Sequence, residues 1–106
     1  MDKAAIIEIT NRFLKGIEAR GIKPIKLILY GSCAAGTNRE GSDIDIAIIS
    51  DDFIGKSYWE RIDILSEVIY EIFAPIEAVA LTQDEWAQGE SFVADFIREG
   101  EILFAA

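Results

Sequence analysis

The chain has 106 residues, with 10 Lys+Arg against 19 Asp+Glu and a formal charge of -9. A chain of this size buries a modest core as one domain, residues 1–106, and its acid excess repels nucleic acid and anionic membranes unless basic residues gather on one face. Histidine is absent and Cys33 is the only cysteine, which excludes an intrachain disulfide, a thiolate zinc cluster and imidazole acid–base chemistry.

Asp2 caps a first helix whose apolar positions Ile6, Ile9, Phe13, Leu14 and Ile17 recur at helical spacing. Gly21 and Pro24 close it, and Ile25 to Tyr30 reads as a first strand. A short helical turn is expected around Ser32 to Ala35, then a surface loop around Thr37 to Gly41. The second strand, Asp43 to Ser50, has the unbroken apolar centre Ile46-Ala47-Ile48-Ile49 expected when both faces are covered. A long helix follows over roughly residues 57–73. Its stripe is Ile62, Leu65, Ile69 and Phe73, and Pro75 stops it. Ile76 to Leu81 is a third strand, and Thr82 with Glu85 forms a capping box for another helical segment that Gly89 breaks. A last helix runs from Ser91 to Gly100, and the tail, Glu101 to Ala106, packs as a short strand or joins a partner. No stretch supplies the roughly 20 apolar residues of a membrane span, and Met1-Asp2-Lys3 does not open a secretory signal. The expected setting is the cytoplasm, without a membrane.

Asp43 and Asp45 bracket Ile44, so on an extended chain both carboxylates point to one face. Two such charges repel unless a cation or proton holds them, and the fitting cation is Mg2+ carrying a nucleoside triphosphate. Gly31 and Gly36 permit the sharp bend and close approach that aim backbone N–H groups and the Ser32 hydroxyl into a cleft. A helix beginning near Ser32 presents its positive end to phosphate. Either half alone is a common surface turn, and it is their combination between two apolar strands that points to phosphate chemistry.

Gly31-Ser32, residues 33–42, then Asp43-Ile44-Asp45 resembles the signature of the minimal nucleotidyltransferase family, part of the DNA polymerase beta-like superfamily. The fuller run from Gly31 to Ile48, the order of helices and strands, and the stretch Arg98-Glu99-Gly100-Glu101-Ile102-Leu103 extend the resemblance over nearly the whole chain. It implies an α/β (α+β) nucleotidyltransferase fold, a small mixed sheet packed against helices. By the resemblance Ser32, with Gly31 and Gly36, holds nucleotide phosphate, and Asp43 and Asp45 bind a pair of Mg2+ ions. Glu77, the only acidic residue within Ile76 to Leu81, matches the third carboxylate, and its plainer role is to blunt a sheet edge. The implied reaction transfers a nucleoside monophosphate, AMP from ATP or the equivalent from another NTP, to a hydroxyl, with Asp43, Asp45 and Glu77 catalytic. The family's usual companion is a small helical protein of the HEPN type, paired with the transferase as toxin and antitoxin. The abundance of apolar and aromatic side chains for so small a core is consistent with such a partner, and self-association stays open.

The chain departs from the family where arginines commonly stand in the glycine–serine loop, having Cys33 and Ala35 instead. Arg39 and Lys56 are candidate replacements, each also a common type of solvated charge. The alternative to the enzyme is therefore a non-catalytic module that binds nucleotide or neutralises a partner and keeps a vestigial metal site. Gly55-Lys56-Ser57 lacks the upstream glycine of a phosphate loop, because Asp51 stands there, and reads as a loop and helix cap. Cys33 reads as a small packing residue, and Tyr58, Trp59, Tyr70 and Trp86 as core or interface.

Overall fold

The computed structural model describes residues 2–31, 43–89 and 97–106. Helix α1 (Lys3–Ala19) starts where the Asp2 side chain accepts from the Ala5 N–H, and it buries Ile6, Phe13, Leu14 and Ile17, the apolar stripe its spacing predicts. Strands β1 (Lys26–Tyr30) and β2 (Ile44–Ile49) follow, then a 3-10 turn over Asp51–Phe53. Helix α2 (Tyr58–Ile72), strand β3 (Ile76–Leu81), helix α3 (Gln83–Gln88) and strand β4 (Glu101–Ala105) complete the described elements. The sheet order is β3-β2-β1-β4, with β2 and β3 parallel and both pairings of β1 antiparallel, which makes this a mixed sheet. The tail is thus a strand of this sheet.

Side chains alternate across a strand, so the sheet has two distinct faces. Leu27, Leu29, Ile44, Ile46 and Ile48 point to the face covered by α1 and α2, where they meet Phe13, Ile17, Leu65 and Val68 in the main core. Each of these fully buried aliphatic side chains stabilises the fold by about 2 kcal/mol relative to exposure. The two helices approach closely at Gly16, where an added Cβ would lie 2.6 Å from Val68 Cγ1. Ile28, Ala47 and Ile49 point to the other face and pack with Ile97, Trp86, Tyr30 and Leu81 in a smaller cluster.

Both expected caps form at the second and third helices. Ser57 and Glu60 make a capping box at α2, as Thr82 and Glu85 do at α3. Gly55-Lys56-Ser57 is accordingly a turn and a helix cap, with Gly55 at φ +81°. One expectation at the end of α2 fails. Phe73 is not part of the buried stripe but the left-handed C-cap, 91% exposed, and Val68 fills the place inside. The chain has already left the helix to meet Pro75, so the 3.6-residue period no longer applies there. The expected helical turn at Ser32 to Ala35 and the loop at Thr37 to Gly41 lie outside the described residues, as does most of the helix expected from Ser91. Ile97 and Arg98 are helical at its end.

Arg61 joins the elements around β3. It donates to the carbonyls of Phe53, Lys56 and Ala80 and pairs with Glu85 Oε1 at 2.6 Å, linking the 3-10 turn, α2, β3 and α3. No helix among the described residues is long and apolar enough to cross a membrane.

Candidate active site

In the parallel β2–β3 ladder Asp45 stands opposite Glu77, and in the antiparallel β1–β2 ladder it stands opposite Tyr30. Register partners point to the same side of a sheet, so Asp45, Glu77 and Tyr30 share the face turned away from α1 and α2. Asp43 lies two residues before Asp45, immediately ahead of β2, and its backbone is anchored next door by the Ile44 N–H donating to Pro75 O at 2.7 Å.

The electrostatics confirm the proximity. Burial, and then the Asp43 charge, raise the Asp45 carboxyl above its ordinary value, while a hydrogen bond with Glu77 works the other way. Glu77 is raised first by the Asp43 charge and then by its hydrogen bond to Asp45, the pattern of two carboxyls competing for one proton. Burial and the charges of Asp45 and Glu77 together push the Tyr30 phenol up. Such a cluster of acids is relieved at neutral pH by a bound cation or a retained proton.

Gly31 ends β1 with φ +71°, a left-handed conformation that favours glycine, and an added Cβ would overlap Asp45 Oδ2. The glycine therefore lets the backbone at residue 31 pass directly over the Asp45 carboxylate. Its neighbours Ser32 and Gly36, the remaining expected phosphate ligands, lie outside the described residues, as do Cys33 and Arg39.

Asp43, Asp45 and Glu77 offer only carboxylate oxygens, the donor set that suits a hard divalent cation completed by phosphate oxygens and water. Among the described residues no group of three or more acidic or cysteine side chains is already arranged as a cage for a metal ion.

Lys56 does not reach this cluster. It lines a cavity with Arg61, Val79, Leu81 and Glu85, along the later half of β3, whereas Glu77 lies at the other end of the strand. Its expected part in neutralising phosphate is withdrawn on that geometry. Tyr30, by contrast, belongs to the site and was not among the expected residues. The signal lay in its place next to Gly31 and two residues after Ile28, on the Asp45 face.

The polymerase beta nucleotidyltransferase family model matches residues 13–106. No curated protein matches the chain. Among solved structures, a candidate nucleotidyltransferase from Sulfolobus solfataricus superposes with a TM-score of 0.69 at 16% identity, over 96% of this chain and 87% of its own. A second candidate nucleotidyltransferase gives a TM-score of 0.58 at 28% identity over 94% and 98%. A toxin–antitoxin protein solved with AMP-PNP gives 0.66 at 20% identity over 91% and 73%. The likenesses below 25% identity speak for the fold, and the family match spans the strands that carry Asp45 and Glu77. With the mixed sheet and its paired acids in place, the chain belongs to the polymerase beta nucleotidyltransferase family.

Proposed function

We propose that the protein transfers AMP from ATP to a hydroxyl on a HEPN-type helical partner, as the antitoxin of a toxin–antitoxin pair. The observation that carries the reading is the register of Asp45 with Glu77, with Asp43 beside them on one face. The similarity to a toxin–antitoxin protein solved with AMP-PNP supports the adenine nucleotide and the kind of partner.

Asp43, Asp45 and Glu77 would hold Mg2+, as a pair of ions. When bound, the metal neutralises triphosphate charge and lowers the pKa of the acceptor hydroxyl. The half-buried Asp45 is the fixed point of the site, braced by Glu77 and by the close passage of Gly31. Glu77 stands exposed on the edge strand β3, where an acceptor can approach. From that position it can receive the hydroxyl proton as the acceptor oxygen bonds to the α-phosphorus and the bond to the pyrophosphate oxygen breaks. By the resemblance, Ser32 and Gly36 orient the phosphates from the turn beyond Gly31.

The test is a purified complex given Mg2+ and labelled ATP. One AMP unit on the partner, lost when Asp43 and Asp45 are both replaced by Asn while the complex persists, supports the proposal. A second reading, a nucleotide- or partner-binding module without turnover, is favoured by Cys33 and Ala35 in place of loop arginines. Binding without transfer from any of the four nucleotides would select it.

A further inference from the structure

Helix α2 carries an outward row that its packing does not use. Trp59, Asp63, Ser66 and Tyr70 follow one another at spacings of four, three and four, so they lie on one face of the helix, over a length of about 16 Å. Trp59 is 71% exposed and Tyr70 84% exposed, and Phe73 joins the row at the cap with 91% of its surface in solvent. Aromatic side chains of this size are seldom left bare in series on a protein that works alone.

Two concavities flank the row on the side toward β3. At the start of α2, Tyr58, Ile62, Leu65 and the β3 residues Ala78 and Ala80 line one of about 400 Å³. At the end of α2, Ile69, Tyr70, Phe73 and Pro75 line another of about 400 Å³. Phe73 holds φ +52°, a left-handed conformation costing a bulky residue of order 1 kcal/mol. Phe73 thus stands exposed beside Tyr70 on a strained cap, and the row ends four residues before Glu77 in the chain, at the end of α2 that leads into the edge strand β3.

Charge narrows what can cover this surface. The helix contains Glu60, Asp63, Glu67 and Glu71 against Arg61 alone, and Arg61 is turned inward to the carbonyls of Phe53 and Ala80. Arg20 reaches across from α1 to Glu67 and Glu71, and Glu60 caps its own helix, so Asp63 faces outward amid the aromatics. A second copy of the chain would bring acid to acid at a charge of -9 each. Phosphate backbones and anionic lipids meet the same repulsion.

We infer that the Trp59–Tyr70–Phe73 row of α2, with its two flanking concavities, is the docking surface for a protein partner whose apolar anchors are rimmed by Lys and Arg, and that this partner reaches around the edge strand β3 to present the acceptor hydroxyl to the carboxylates on the far face of the sheet. The inference rests on the proposed transferase reading for the acceptor, while the docking surface stands on the exposed row alone. Aromatic anchors dominate such interfaces, and the outward carboxylate of Asp63 on a chain of charge -9 favours a basic partner.

The experiment places the photo-crosslinking residue p-benzoylphenylalanine at position 70 or 73, and at position 8 on α1 as control, in the source cell. The crosslinked protein is then purified and titrated against wild type, the Trp59→Ser/Tyr70→Ser double variant and Asp63→Lys. The expected result is one basic-faced protein captured from 70 and 73 and not from 8. Its Kd should weaken about tenfold or more in the double variant, and Asp63→Lys should weaken binding most at low salt. In the labelled-ATP assay the double variant should raise KM for the partner and keep kcat. Crosslinks only to a second copy, or an unchanged Kd with melting curves that show the variants folded, would overturn the docking surface. Weakened binding in the variants with no label transferred by wild type would retain the surface and remove the transferase reading; transfer with full-strength binding in the double variant would do the reverse.

Discussion

Asp45 and Glu77 face each other across the parallel β2–β3 ladder, and both carboxyls are raised above their ordinary values, Asp45 first by burial and Glu77 first by the charge of Asp43. Replacing Asp45 by Asn keeps the shape and removes a charge from a crowded face. Nucleotidyl transfer should fall roughly 100-fold or more, while the metal-free protein melts no lower than wild type. Parallel transfer assays and calorimetry on Asp45→Asn and Glu77→Gln check both halves.

Gly31→Ala should damage the site through the backbone. The new methyl would overlap Asp45 Oδ2 at a φ of +71°, so either the turn or the carboxylate must move. A loss of about 1–2 kcal/mol in stability and a larger loss in transfer than in nucleotide affinity are expected. Gly21 is the control, since it also has positive φ but meets nothing nearby.

The acid cluster predicts a dependence on pH and on divalent cation. The raised Asp45 and Glu77 carboxyls bind protons more tightly in the folded chain than in the unfolded one. Their contribution to stability is fully present below the ordinary carboxylate range, near about 4, and is lost as pH rises through the raised folded values. Mg2+ should restore it at neutral pH, adding roughly 2.7 kcal/mol at about 100 times its Kd. Thermal melts with and without Mg2+ should show the increment in wild type and not in the Asp43→Asn/Asp45→Asn variant.

Glu85 has the opposite sign. Burial works to raise its carboxyl, but the Thr82 backbone N–H and the Arg61 guanidinium outweigh it and hold the value below the ordinary range. Its stabilisation is present above the unfolded value of about 4.3 and disappears as pH falls through the folded one. Glu85→Gln should cost about 0.5–1 kcal/mol at pH 7, since the side chain is 45% exposed and solvent screens its pair with Arg61, a loss that closes in acid, as denaturant titrations at several pH values would reveal.

Local signals read well from the residues alone. Ile76 to Leu81 was bounded as it is observed because proline, an apolar run and the Thr82 cap punctuate it from both sides. The face shared by Asp43 and Asp45 followed from their spacing. The opposition of Asp45 and Glu77 did not, since strand order and register are set by contacts remote in the chain, and only the family resemblance pointed to Glu77. Tyr30 escaped notice for the same reason, as its meaning depends on the strand laid beside it. Lys56 and Phe73 show the reverse error, in which a residue type suggested a role that its position in space denies.

The three acids stand outside both buried apolar clusters of the sheet, the larger under the helices and the smaller around Ile28 and Ile49, and this has an evolutionary corollary. Replacing those acids removes no buried apolar contact, so the scaffold should tolerate the loss of its carboxylates. Shape and chemistry are inherited separately in such a molecule.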